Sequence, residues 1–404
     1  MISRLVTEWA LPGLSCPCCG EVTFAEPPPG LHAGSVAYGP RLSAAAVLLT
    51  AYGNVPPERA ASLIGMLLGA EVSAGWVDKA GARLSALLRK AGLDEAMLAA
   101  LAAQPVLASD ETPVNVLASQ DGKAPGTAVE KRPPGTVARD PGTVAEKAPG
   151  AAAAGEEKDK EKDAGGAPHV LIVRTPDGRL TWLTAIGSRR KEHVGGGIPA
   201  AFAGYLMADG YQGYQHLLER LAGIQQCCQH VTRRCRAVEG LGPGLLQSWA
   251  GDIIAILREA HAAVGEARAR GDTSLGPKAL DDLRERYDTA VTHGIIHNRL
   301  RDWHDGNHPG YALGCWLQSY KEQVFLFTRD FRVDWTTNVV ERGAKAAKRH
   351  QAVSGYWHTL QTLARWCRIR SYLDTAMAHG ITALDAIATA LEGNPWLPPV
   401  LGTA

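Results

Sequence analysis

Pro105-Val-Leu-Ala-Ser-Asp-Glu-Thr-Pro-Val-Asn-Val-Leu117 is an apolar, β-branched run broken by a polar trio, Asp110-Glu111-Thr112. Its residue types predict a strand. A carboxylate buried in such a strand is costly unless it is paired or binds a cation. Side chains alternate along a strand, so Asp110 and Glu111 point to opposite faces, and Asp110 is the stronger candidate. An edge-strand Asp or an Asp-Glu turn is the plainer alternative.

Further strands are expected at His169 to Thr175, Arg179 to Ile186 and Gly204 to Ala208, with another over Gly223 to His230. Between the first two runs, Ala118 to Ala167 repeats Pro-Gly-Thr and carries an alanine run and mixed charge, so it has little to bury and reads as a disordered insert. An insertion at a hairpin tip adds little closure entropy. Leu245 to Asp302 has apolar residues at helical spacing, so strands give way to helices and a mixed sheet with helices packed on it is expected. Upstream, Pro56-Pro57 opens one helix and Ser73 caps another, Trp76 to Arg89. Ala60 to Leu84 therefore reads as helix-turn-helix-like, although an ordinary helical hairpin fits the same pattern.

Two more acids join Asp110. Asp209 ends the short strand Tyr205-Leu-Met-Ala208 and precedes Gly210-Tyr-Gln-Gly-Tyr214. Alone, Asp-Gly after a strand is a turn signal; with Asp110 it supplies a second strand-end carboxylate. Glu341 lies in Trp335-Thr-Thr-Asn-Val-Val-Glu-Arg-Gly-Ala-Lys-Ala-Ala-Lys-Arg-His350, where Thr337 or Asn338 can cap a helix with Glu341, Lys345 and Lys348 on one face. That pattern also suits a solvated amphipathic helix. If the helix packs beside the sheet, Glu341 completes a hard-oxygen site for magnesium and the lysines meet phosphates.

The chain's 404 residues allow two or three domains, and 46% hydrophobic with 21% charged residues is ordinary globular usage. A net charge of +1 gives no overall basic signature, so local clusters must carry any nucleic-acid argument. Arg233 and Arg234 head the densest such cluster of the middle region, beside Cys227, Cys228 and His230. Glu8 interrupts the N-terminal apolar stretch and no run approaches the roughly 20 apolar residues of a membrane span, so a cytoplasmic protein without a membrane partner is expected. Eight cysteines in this length do not form an extracellular disulfide pattern. Cys16-Pro-Cys18-Cys19-Gly20 looks like the end of a zinc-ribbon-like knuckle, but only three cysteines and His32 lie close by and a structural zinc needs four ligands. A remnant without zinc is the expectation.

Asp-Glu-Thr at 110–112, Asp-Gly-Tyr at 209–211, Cys228-Gln-His230 with Arg233-Arg234, Asn338-Val-Val-Glu-Arg342, Val353-Ser-Gly-Tyr-Trp-His-Thr359, and Ile369-Arg-Ser-Tyr-Leu373 with His379-Gly380 together resemble the transposases of the insertion sequence 66 family. The resemblance runs from about Tyr38 and spares only the insert. It implies an α/β fold: a ribonuclease-H-like core with a mixed sheet flanked by helices, interrupted by a helical insertion and preceded by a helical N-terminal region. The corresponding segments are a zinc-ribbon-like remnant at 1–40, the helix-turn-helix-like region at 41–104, the first part of the core at 105–240 with the insert at 118–167, the helical insertion at 241–330, and the rest of the core with the Glu341 helix at 331–404.

The resemblance also implies Asp110, Asp209 and Glu341 as a catalytic DDE triad holding two magnesium ions, with manganese a possible substitute. The substrates implied are insertion-element terminal repeats and target DNA, acted on by a homo-oligomer in a nucleoid-associated bacterial setting. Phosphate or base contacts are expected from Arg233, Arg234, Arg342, Lys345, Lys348, Arg349 and Trp357. The chain departs from the family pattern at Thr336-Thr337-Asn338, at the bulky Val340, and at Lys345, where an Arg is common. It also lacks an upstream cysteine pair and basic region. The alternatives are a truncated, non-catalytic DNA-binding relic and a metal-dependent nuclease of the same superfold.

Overall fold

The computed structural model describes residues 5–26, 37–117, 166–241, 247–304 and 306–399. A short antiparallel ribbon pairs β1 (Gly13–Ser15) with β2 (Val22–Phe24). The expected strand follows as β3 (Val106–Pro113), and its partners are β4 (His169–Arg174), β5 (Thr181–Ile186), β6 (Tyr205–Ala208) and β7 (Gly223–Gln226). These five form a mixed sheet in the order β5-β4-β3-β6-β7. Strands β3, β4 and β5 pair antiparallel, whereas β6 and β7 run parallel to β3. Strand β3 is central and buried on both faces, which is why its apolar residues run nearly unbroken.

Two compact units divide the chain. One comprises Met1–Asp94 with Arg368–Leu397. Its described helices are α1 (Pro40–Val47), α2 (Pro57–Leu68), α3 (Ala74–Lys90) and the start of α4 (Leu93–Ala102). Gly69 ends α2 in the left-handed conformation (φ 62°), and the Ser73 hydroxyl accepts the Trp76 N–H at 3.2 Å, so the predicted cap opens α3. Ile64, Val77, Leu84 and Leu88 form the apolar centre, and Arg368 clamps Asp94 through Nη2 to Oδ2 at 2.7 Å and Nε to Oδ1 at 2.9 Å.

The other unit, Glu95–Cys367 with Pro398–Ala404, holds the sheet. Its helices are α5 (Lys191–Gly197), α6 (Cys228–Glu239), α7 (Ser248–Ala269), α8 (Pro277–Asn298), α9 (Pro309–Ser319), α10 (Lys321–Val324), α11 (Leu326–Arg329), α12 (Asn338–Ser354) and the first part of α13 (Leu360–Ala378). The second part of α13 and α14 (Ala383–Leu391) belong to the first unit, so the stretch assigned wholly to the core at 331–404 divides at Arg368. On one sheet face, Val106, Ala108, Ile172 and Met207 share a core with Val231 and Cys235 of α6 and with Val340, Ala344 and Ala347 of α12. The helical stretch after the sheet is α7 and α8, packed on each other. Its buried polar residues are satisfied internally, with Gln247 Nε2 on Asn298 Oδ1 at 2.7 Å and Trp249 Nε1 on Gln247 Oε1 at 2.8 Å.

The strand expected over Gly223 to His230 stops at Gln226. Cys227 takes the N-cap position, and Cys228, Val231, Thr232, Cys235 and Val238 bury one helical face, so helical periodicity decides the segment after Gln226. His230 therefore sits in the first turn of α6. Apart from Gly166 and Ala167, the insert at 118–167 lies outside the described residues, as does His32. No described helix is long and apolar enough to cross a membrane.

Candidate active site

Backbone register places the first two acids. Strands β3 and β6 pair with Ala108 opposite Met207, so two residues further on Asp209, just past the end of β6, comes level with Asp110, which stays inside β3 opposite Ile172 of β4. Asp209 Oδ1 accepts the Tyr211 N–H at 2.9 Å, so the Asp-Gly-Tyr turn fixes that carboxylate. Asp110 Oδ1 accepts the Glu111 N–H at 2.9 Å. Asp110 is pushed up to about 7, first by burial and then by the charges of Glu111 and Asp209; His230 opposes the rise. This is a site with more negative charge than its protein partners neutralise.

Glu111 points to the other face, as alternation requires, with its side chain 1% exposed. It accepts hydrogen bonds from Arg189 Nε and from the Tyr214 hydroxyl, the latter at 2.6 Å, and Tyr214 also meets Ser109 at 3.1 Å. Burial and Asp209 raise the Glu111 pKa while Arg189 and Tyr214 restrain it. Arg189 then reaches Asp209 Oδ2 through Nη2 at 3.1 Å. Sequence reading missed this bridge because its ends are far apart in the chain. The only local signal was the cation run Arg189-Arg190-Lys191 after a strand.

At the head of α6, Cys227 Sγ accepts the Thr337 N–H at 3.4 Å and the Cys228 N–H donates to Trp335 O at 2.9 Å. The starts of α6 and α12 are thereby joined. Hydrogen bonding to Cys227 raises the His230 pKa, burial opposes it, and Asp209 adds to the rise. Burial would raise Cys227, but its contacts with His230 and Thr337 outweigh that and lower it.

Glu341 occupies the first turn of α12, with its side chain 33% exposed and Oε2 3.8 Å from Lys345 Nζ. Helix α12 packs across β3 and β4. Gly343 makes that approach possible, since a Cβ there would lie 2.9 Å from Ile172 Cγ2, and Ile172 pairs with Asp110. Arg174 Nη1 donates to Val339 O at 3.0 Å and pins the helix start to β4. The structure thus brings Asp110 and Asp209 together and sets Glu341 on a helix against the same sheet. Ligand atoms of all three do not lie within 4.8 Å of one another.

Lys345, Lys348 and Arg349 are exposed along α12, Arg233 is exposed on α6, and Arg234 is half-buried over the Trp316 ring at 4.5 Å. The Arg342 side chain lies outside those described. Trp357 is not available to stack on a base: it is 4% exposed, stacks on His350 at 4.5 Å and meets Trp366 edge-on at 5.3 Å. Its backbone bridges to Val116, which holds Trp357 in the core although Tyr356 and His358 on either side of it are exposed. In the β1–β2 ribbon, Cys16, Cys18 and Cys19 converge within 4.8 Å, three ligands where a closed zinc site takes four. Hydrogen bonding to Cys18 lowers the Cys16 pKa to about 6.

A family model described as Transposase IS66 family matches residues 35–128 and 154–364, most of the chain. No curated protein matches it.

Proposed function

We propose that this chain, which belongs to the IS66 family of transposases, is a DDE enzyme that cleaves insertion-element ends and joins them to target DNA with magnesium. The observation that carries the reading is the pair Asp110, inside β3, and Asp209, just past the end of the adjacent parallel strand β6, with Asp110 held up to about 7 by burial and like charge. The sheet order supports a ribonuclease-H-like core: three antiparallel strands, then two parallel to the central one.

The residues fit a hard divalent cation. Their donors are carboxylate oxygens, and a cation would relieve the repulsion that raises Asp110. Asp110 and Asp209 would hold magnesium, or manganese in its place, with Glu341 as the third ligand from α12. Bound in pairs, such ions activate a water or DNA 3′-hydroxyl and stabilise the leaving oxygen in an in-line displacement at phosphorus. The protein's own part is placement. Tyr211 and Arg189 fix Asp209, and α12 presents Lys345, Lys348 and Arg349 to DNA phosphates, with Arg233 as a further cation on α6. The terminal repeats and target DNA are the substrates in this reading, and pairing two ends calls for a homo-oligomer on DNA.

The test is incubation of labelled element-end DNA with magnesium and either the parent or Asp110→Asn. Cleavage and joining by the parent alone supports the proposal; equal cleavage by the variant refutes it. A second reading, a DNA-binding relic, draws on the separation of Glu341 from the aspartates and its contact with Lys345. Binding without cleavage at any magnesium concentration would favour the relic, and cleavage without joining would favour a nuclease.

A further inference from the structure

We propose that Arg189 is a positioning residue for Asp209, fixing the orientation of that carboxylate for a divalent cation from the sheet face opposite to the one covered by α12. The inference rests on the metal-dependent reading above and concerns how the same site is built.

Arg189 lies in the connection between β5 and α5, and its fork spans two acids, Nε on Glu111 Oε1 and Nη2 on Asp209 Oδ2 at 3.1 Å. Its guanidinium lies over the Tyr211 ring, 4.0 Å from the centroid, and the Tyr211 hydroxyl donates to the Arg189 carbonyl. Tyr211 in turn gives its N–H to Asp209 Oδ1 at 2.9 Å. Asp209, Tyr211 and Arg189 thus close a ring of contacts in which each Asp209 oxygen accepts one hydrogen bond. A carboxylate offers about four lone-pair sites, so both oxygens keep capacity for a cation while the plane of the group is fixed.

Glu111 completes the device from behind. Buried, and bonded to the Tyr214 hydroxyl at 2.6 Å, it anchors the guanidinium and cannot reach the cation from its own face. A lysine keeps the charge but cannot span both carboxylates with a planar fork. Partners that orient metal ligands in this way typically contribute roughly 10- to 100-fold in metal affinity or activity.

The test uses the full chain, with manganese binding followed by electron paramagnetic resonance without DNA, alongside the magnesium midpoint for cleavage. Arg189→Lys should weaken manganese binding and raise the magnesium midpoint by about tenfold or more, with the melting temperature and DNA affinity near those of the parent. Arg189→Ala would strand the buried Glu111 charge, so the second variant is the neutral pair Arg189→Met with Glu111→Gln, for which the same shift is expected. If the parent binds manganese and both variants bind it equally, the inference is overturned while the metal reading stands. A parent that binds no manganese overturns both. A melting loss with an unchanged magnesium midpoint assigns Arg189 to the fold alone and also overturns the inference.

Discussion

Asp110→Asn should make the metal-free protein more stable at pH 8 while removing its activity. The Asp110 carboxyl titrates at about 7 instead of 3.8 because it is buried beside Glu111 and Asp209. At ~1.36 kcal/mol per pKa unit, that displacement corresponds to about 4 kcal/mol held against the ionised form. Below about pH 4 folded and unfolded chains both carry the proton and the site imposes no penalty. Between 3.8 and about 7 the folded chain retains a proton that the unfolded chain has released, so stability falls as pH rises, and above about 7 the loss is complete.

Asparagine has nearly the same shape, can still accept the Glu111 N–H, and has no charge to bury. Relaxation and water entry reduce the gain, so about 2–4 kcal/mol is expected at pH 8. At about 2–4 °C per kcal/mol for a domain of this class, the melting temperature should rise by several degrees. The assay is thermal unfolding of parent and variant without metal at pH 8 and pH 5, then at pH 8 with magnesium. The difference should shrink towards pH 5, and magnesium should stabilise the parent alone, by about 2.7 kcal/mol at a hundredfold excess over Kd. A variant that melts at or below the parent at pH 8 would refute the account of Asp110 as a strained, cation-ready acid.

Replacing Lys345, Lys348 and Arg349 together with Gln should weaken DNA binding at every sequence and reduce the slope of log affinity against log salt by about 0.9 for each phosphate no longer neutralised; an unchanged slope would place the DNA elsewhere. Trp357→Ala should destabilise the fold by about 3–5 kcal/mol, since the ring is buried against His350 and Trp366. If denaturant unfolding is unmoved while DNA binding falls, the ring faces DNA after all. Gly343→Ala should press on Ile172, whose Cγ2 would lie 2.9 Å from the new Cβ, and cost about 1–3 kcal/mol. Cleavage should fall with it as α12 is displaced; full cleavage at a lowered melting temperature would show that the height of α12 does not matter to Glu341.

What was legible in the sequence was whatever backbone hydrogen bonding decides. The β-branched runs at 106–113, 169–174 and 181–186 are strands, and Ser73 caps its helix, because these features are local. Gln225-Gln226-Cys227-Cys228 carries no Gly or Pro where strand becomes helix, and there the boundary was misplaced. Trp357 misled for a different reason. A Gly355 at φ 81° marks a turn and suggests exposure, but the bridge to Val116, more than 200 residues away, buries the ring. The Glu111–Arg189–Asp209 bridge is equally non-local, and no pattern along the chain pairs a lone arginine with two particular acids.

The same distinction separates the three acids. Asp110 and Asp209 are neighbours because strand register fixes them, with adjacent strands roughly 4.8 Å apart. Glu341 is held to the sheet by packing and side-chain hydrogen bonds: Gly343 over Ile172, Val340 and Ala347 in the shared core, Arg174 donating to Val339 O, and Gln351 Oε1 accepting the Asn115 N–H just past β3. Packing contacts of that kind shift more readily than a ladder of backbone bonds. Glu341 is therefore the adjustable member of the set. In the proposed enzyme, charge neutralisation at the aspartates would come first and recruitment of Glu341 second, so Glu341→Gln should leave cation binding largely intact and remove cleavage, whereas Asp110→Asn should remove both.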